Sequence, residues 1–174
     1  PRLTSPTLAM LFSIAENANV GFGEPTMVDL EFSAGLAVIT IDRPQARNAI
    51  ALSTMDELED ALDAAAGAQA LVIRGGGDRA FVSGGDLKEL AALRTLEEAA
   101  GMARRMRAIC DRIAGFPAPV IAALNGHALG GGAEVAVAAD IRVAADDVKI
   151  GLNQVSPEIM PARGGAERLA ARGR

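Results

Sequence analysis

Asn125-Gly126-His127-Ala128-Leu129-Gly130-Gly131-Gly132-Ala133-Glu134 sets three consecutive glycines directly before the one carboxylate of an otherwise apolar stretch. Upstream, Pro119 to Leu124 (PVIAAL) reads as a short buried strand. Downstream, Glu134 to Ala139 (EVAVAA) reads as the start of a helix packed on both sides. The glycines therefore fall at a strand-to-helix junction, where a tight turn can require them for conformation alone. The same place also suits an anion: first-turn N–H groups lack intrahelical partners, the helix dipole is positive, and residues without Cβ let a ligand reach the backbone. Glu134 favours this second reading, because a carboxylate among Gly, Ala, Val and Leu is rarely placed without a partner or a task. Beside an anion site, that task is acid–base chemistry.

A chain of 174 residues, half of them hydrophobic, is enough for one domain with a real core. A net charge of −5 and the lack of Tyr, Trp and any basic cluster argue against a nucleic-acid partner. Cys110 is the only cysteine, so an intrachain disulfide is impossible, and with a single histidine no metal site is expected. The helical spacing of MARRMRAICDRIAGF assigns Cys110 to the core. Leu8 to Ala15 (LAMLFSIA) is too short to span a bilayer and lacks the pattern of a signal peptide. The expectation is a cytoplasmic protein with no membrane association.

Residues 1–27 contain three prolines and no sustained period, so they read as an N-terminal extension, with the fold proper occupying 28–174. Val28 to Phe32 and Leu36 to Ile41 form a hairpin around Ser33-Ala34-Gly35, and Ser53 to Ala66 an amphipathic helix opened by Ser53, with Met55, Leu58 and Leu62 on one face. Ala70 to Arg74 is a buried strand, followed by a Gly75 to Gly85 loop, a short helix from Asp86 and a longer one from Leu96 to Ile113. Ile141 to Ala144 and Val148 to Gly151 read as further strands, and AERLAARGR as a helix. Strands alternating with helices predict an α/β domain with largely parallel pairing.

The loop Gly75-Gly76-Gly77-Asp78-Arg79-Ala80-Phe81-Val82-Ser83-Gly84-Gly85-Asp86-Leu87 offers a second set of exposed N–H groups, with Asp86 as the N-cap of the helix that follows. Neither glycine loop is a phosphate-binding fingerprint. Four segments in order, ITIDRPQARNAI (residues 39–50), AFVSGGDLKEL (80–90), PVIAALNGHALGGGAE (119–134) with Ala138-Ala139-Asp140 after it, and PARGGAERL (161–169), resemble the crotonase superfamily, the enoyl-CoA hydratase/isomerase family. The resemblance covers most of the chain. It implies a spiral of repeated β-β-α units and a coenzyme A thioester as substrate, with no permanently bound cofactor. It also implies a homo-oligomer built on trimers, and a place in fatty acid and lipid metabolism.

By motif position the resemblance makes the N–H groups of Gly85 and Gly131 an oxyanion hole and Glu134 the first of two hydratase glutamates. CoA contacts carry over to Ala46, Arg47, Ser83 and Gly84, with Lys88 a candidate for a phosphate; for Arg47 and Lys88 a solvated surface charge is the competing reading. His127 falls at a variable position of its motif and reads as structural or pocket-lining. At the second glutamate the chain departs: an ungapped count places Gln154 there, which cannot ionise, whereas a gapped match to Pro-Glu-Ile places Glu158. The resemblance also implies C-terminal helices that close the acyl pocket, and the expectation from this sequence is a spiral without them after Arg174. These features imply an enoyl-CoA hydratase-like lyase; the alternatives are a crotonase-like acyl-CoA decarboxylase and a degenerate, non-catalytic paralogue that binds acyl-CoA or partner subunits.

Overall fold

The computed structural model describes residues 26–152 and 164–172. The extension expected over 1–27 lies outside that range except for Thr26 and Met27, and Gln154 and Glu158 lie outside it entirely. In chain order the elements are β1 (Val28–Ser33), β2 (Leu36–Ile41), α1 (Leu52–Ala64), β3 (Ala70–Gly75), β4 (Ala80–Val82), α2 (Leu87–Ala92) and α3 (Leu96–Ala114). They continue with β5 (Val120–Leu124), β6 (His127–Leu129), α4 (Gly131–Ala138), β7 (Ile141–Ala144), β8 (Ile150–Gly151) and α5 (Gly165–Arg172).

The hairpin β1-β2 is antiparallel, and every later pairing is parallel. One sheet has the order β1-β2-β3-β5-β7 and the other β4-β6-β8. The chain thus repeats one step: a strand of the large sheet, a strand of the small sheet, then helix. β3-β4 leads to α2 and α3, β5-β6 to α4, and β7-β8 to α5. The first turn of this spiral is β2 and α1, with an isolated parallel bridge from Ile50 to Gly85 standing where the small-sheet strand would be. This is the α/β architecture of stacked β-β-α units that the motifs imply.

Alternate residues of the parallel strands share one face of the sheet. Ala37, Ile39 and Ile41 of β2, Leu71 and Ile73 of β3, and Val120, Ala122 and Leu124 of β5 all enter the main core. They meet Met55, Leu58 and Leu62 of α1 and Met106, Ile109, Cys110 and Ile113 of α3, helical positions three and four apart. Cys110 is a core residue, as its spacing predicts. Each fully buried Leu or Ile contributes roughly 1.5–3 kcal/mol, so this layer is what holds the spiral's turns in register. The opposite sheet face carries a smaller cluster of Val38, Val72 and Ala123, with Leu36, Ile121 and Val143 packed against it.

Several boundaries differ from expectation, among them the strand expected over Val148 to Gly151, which is confined to Ile150–Gly151. Helix α1 starts at Leu52, not Ser53, and its entry is fixed by Thr54, whose Oγ1 accepts the Ala51 N–H at 3.2 Å. Helix α4 starts at Gly131, so Glu134 lies in its first turn and does not open it. The Gly75 to Gly85 loop contains β4, and the turn before the triple glycine contains β6; both are three-residue strands stabilised by parallel partners distant in sequence.

Candidate active site

Two glycine loops, far apart in sequence, meet where β4 passes the start of α4. The contact is backbone to backbone: a Cβ added to Gly132 would lie 1.7 Å from the Val82 carbonyl oxygen, so only glycine lets α4 pack this closely on β4. Just beyond, Gly84 adopts φ +117° and a Cβ on it would lie 3.6 Å from the Gly131 nitrogen. Gly85 and Gly131 are each half-buried, within reach of a ligand.

The direction of both N–H groups follows from what their peptides already bind. The Gly84 carbonyl accepts the Ile50 N–H at 2.8 Å. A trans peptide points its carbonyl and N–H in opposite directions, so the Gly85 N–H points away from Ile50. The Gly130 carbonyl accepts the Glu134 N–H at 3.3 Å, which turns the Gly131 N–H out of the helix end. Neither N–H has an acceptor among the described residues. Here the helix N-terminus adds its dipole, which favours negative charge.

Glu134 follows Gly131 by three positions, which puts its side chain on the same helical face as that end of α4. It is only 2 % exposed. Its Oε1 accepts the Gly165 N–H at 3.2 Å, so the start of α5 closes over the carboxylate. That contact joins positions 31 residues apart, which sequence spacing does not reveal; its only trace is the paired glycine of PARGGAERL.

Two asparagines to which the sequence assigns no role shape the first loop. Asn48, fully buried, donates through Nδ2 to the carbonyls of Gly76 at 2.9 Å and Ala80 at 2.7 Å. Asn125 accepts the Gly75 N–H at 2.9 Å and donates to the Gly77 carbonyl at 2.7 Å. Both lie within the motifs ITIDRPQARNAI and PVIAALNGHALGGGAE, where nothing in the spacing indicates their partners. Asp86 caps α2 as predicted, accepting the Lys88 N–H at 3.0 Å, and pairs with Arg43 at 2.9 Å. The Arg43 hydrogen bond, against the opposing cost of burial and aided by the Lys88 N–H, holds the Asp86 carboxyl below the usual carboxylate range.

Of the residues carried over for CoA, Arg47 and Ser83 are adjacent: the Ser83 N–H donates to the Arg47 carbonyl at 3.1 Å. Ala46 is half-buried beside them, Gly84 is buried, and the Lys88 side chain is exposed. A cavity of about 180 Å³ opens next to Arg47, between the Pro44–Ala46 turn and the Gly76 to Ala80 segment; Arg79 and Asp78 also line it, while Gly85, Gly131 and Glu134 do not. His127 is exposed, and its Nδ1 accepts the N–H of Lys149, the residue before β8, at 3.2 Å. Among the described residues no group of three or more potential metal ligands occurs, and no helix is long and apolar enough to cross a membrane.

The family model for enoyl-CoA hydratase/isomerase matches residues 31–172. A protein of Bacillus subtilis named "Probable enoyl-CoA hydratase" is 40 % identical over 145 residues, covering 82 % of this chain and 55 % of that protein. The crotonyl-CoA hydratase of Syntrophomonas wolfei is 40 % identical over 147 residues, covering 80 % and 55 %. The crystal structure of an enoyl-CoA hydratase from Bacillus anthracis superposes with a TM-score of 0.79 at 31 % identity, over 83 % of this chain and 57 % of that one. The chain thus spans about half the length of the curated relatives it matches.

Proposed function

This chain belongs to the enoyl-CoA hydratase/isomerase family, and from that premise we propose that it hydrates 2-enoyl-CoA thioesters, using Gly85 and Gly131 as oxyanion donors and Glu134 as the acid–base group. The observation that carries this reading is the convergence of two unsatisfied backbone N–H groups from separate loops with a buried carboxylate one helical turn away. Water adds to the β-carbon, the α,β double bond moves its electrons onto the thioester oxygen, and the resulting enolate is protonated at the α-carbon. The enolate oxygen carries more charge than the ground-state carbonyl, so each aligned donor lowers the barrier by about 3 kcal/mol. Glu134 accepts a proton from the attacking water as its oxygen bonds to carbon.

Ala46, Arg47, Ser83, Gly84 and Lys88 are the proposed contacts to the CoA portion, and the reaction calls for no resident cofactor. A 40 % identical crotonyl-CoA hydratase supports a short enoyl chain. The second acid position is read as Gln154 on an ungapped count and as Glu158 on a gapped one. If Gln154 occupies it, Glu134 carries both proton transfers. That glutamine also favours a second reading, decarboxylation of a branched malonyl thioester, which forms the same enolate by loss of CO₂ and needs fewer proton transfers. Steady-state assays with crotonyl-CoA and methylmalonyl-CoA separate the two: turnover of the first alone supports hydration, turnover of the second alone supports decarboxylation, and turnover of neither by folded protein refutes both. The trimer-based assembly implied by the resemblance is tested by sedimentation equilibrium.

A further inference from the structure

We propose that Arg43 and Asp86 are positioning residues that keep the Gly84–Gly85 peptide from flipping, an inference that rests on the reading of Gly85 as an oxyanion donor. Arg43 leaves the end of β2 and reaches two places at once. Its Nη2 donates to Asp86 Oδ2 at 2.9 Å and its Nη1 to the Ala49 carbonyl at 2.5 Å, while its own N–H is held by Asn48 Oδ1 at 2.9 Å. Between those two anchors Ile50 donates to the Gly84 carbonyl at 2.8 Å and accepts the Asp86 N–H at 3.0 Å. The contacts close a ring running Arg43, Ala49, Ile50, Gly84, Gly85, Asp86. Within the Gly84 to Asp86 side of that ring, the Asp86 N–H is taken by the Ile50 carbonyl, whereas the Gly85 N–H has no acceptor among the described residues.

A peptide flanked by two glycines has little steric resistance to rotation about its neighbouring bonds, and Gly84 already sits at φ +117°. Rotation would present the Gly84 carbonyl, and not the Gly85 N–H, to a thioester oxygen, converting a stabilising dipole into a repelling one. The ring blocks this at both ends. Ile50 holds the carbonyl, and the guanidinium fixes Ile50 through Ala49 on one side and Asp86 on the other. Both side chains of the pair are only 15 % exposed, so competition from water is limited. An arginine suits the task because its planar fork serves two acceptors in fixed geometry, which a lysine ammonium does not. Asp86 also caps α2, and capping alone would make the pair merely structural.

The discriminating variants are Asp86→Asn, which retains a capping oxygen but loses the charge facing Arg43, and Arg43→Lys, which retains the charge but not the fork. Each is assayed in the full chain with crotonyl-CoA, and by isotope-edited infrared spectroscopy of bound [1-¹³C]butyryl-CoA, a saturated thioester that cannot be hydrated. The expected result is a fall in kcat of about 10- to 100-fold with KM within about threefold, since a donor acting in the transition state is lost. Alongside it, the carbonyl band of bound butyryl-CoA shifts less from its free position than in the wild type, at unchanged Kd. If the variants melt at lower temperature yet keep wild-type kcat and band shift, the pair is structural and the proposal is overturned. If the wild type itself binds butyryl-CoA with no band shift, the oxyanion reading of Gly85 fails and this inference falls with it.

Discussion

Replacing Gly132 with alanine tests the contact on which the whole site depends. The added Cβ would stand 1.7 Å from the Val82 carbonyl oxygen and 2.5 Å from its carbonyl carbon, both backbone atoms that no rotamer change can move. Widening 1.7 Å to 3.0 Å, below which such contacts essentially never occur, opens β4 from α4 by about 1.3 Å. The Gly131 N–H moves with α4 and the Gly85 N–H stays with the strand, so the two proposed donors separate by a similar distance. A misplacement of about 1 Å costs roughly 10²-fold in rate, and overpacking costs about 1–3 kcal/mol of stability. At this chain length each kcal/mol lowers Tm by about 2–4 °C. The assay is loss of the conjugated enoyl absorbance of crotonyl-CoA, with Tm from circular dichroism, and Gly101→Ala as the control. Gly101 lies inside α3, where an added Cβ meets nothing closer than Arg104 Nη2 at 4.0 Å. That control keeps its activity and is more stable by about 0.5–1 kcal/mol. A Gly132→Ala protein with wild-type kcat and wild-type Tm would refute the packing of α4 on β4 and the donor geometry built on it.

In Gly165→Ala, the new Cβ would lie 2.5 Å from Glu134 Cγ and 3.1 Å from its Oε1, so the flexible glutamate swings away and loses the Gly165 N–H. Kcat for crotonyl-CoA falls about 10- to 100-fold, and Tm falls as well because a buried side chain is overpacked and its hydrogen bond lost; unchanged kcat would show that the carboxylate's placement does not matter. Glu31 has its carboxyl pushed up by burial and by Asp29, against the opposing charge of Arg74, and its Oε2 has no hydrogen bond among the described residues. A raised carboxyl pKa means stability is full below the usual glutamate value near about 4.3 and diminishes as pH rises through the folded value. Glu31→Gln therefore raises Tm at pH 7, and the gain fades as pH falls toward 4; a lower Tm at pH 7 would contradict this. Asp86 behaves in the opposite sense: its lowered pKa contributes stability above about pH 4 that is lost as pH drops through the folded value. The Tm difference between wild type and Asp86→Asn narrows below that pH, and a difference that widens there would count against the Arg43 pairing.

Regular period is what makes most of the fold legible in the sequence. The three- and four-residue spacing in α1 and α3 assigns Met55, Leu58 and Cys110 to the core, and all three are buried there. Of the small sheet only β8 is legible, inside the expected Val148 to Gly151 strand; β4 and β6 have three residues each, too short for a period, and are held by partners distant in sequence such as Ala80 beside His127. Sequence pattern sets the start of α4 too late, at Glu134, because glycine reads as loop; close approach to Val82 explains why a helix begins there with two glycines. Candidate site residues emerge where motif and chemistry coincide, as at Gly85, Gly131 and Glu134. Gly165, Asn48 and Asn125 escape because their roles consist of hydrogen bonds across 28 to 50 positions.

Glu134 is the residue on which the proposed chemistry turns, and Glu134→Gln is close to isosteric, keeping an oxygen for the Gly165 N–H while removing the ionisable group. The most direct measurement is crotonyl-CoA hydration by wild type and Glu134→Gln, with butyryl-CoA affinity of both proteins from calorimetry. The account predicts hydration by the wild type, a kcat reduced about 10²- to 10⁴-fold in the variant, and similar affinities. Equal hydration rates in the two proteins, or butyryl-CoA binding by a folded wild type that does not hydrate crotonyl-CoA, would contradict it.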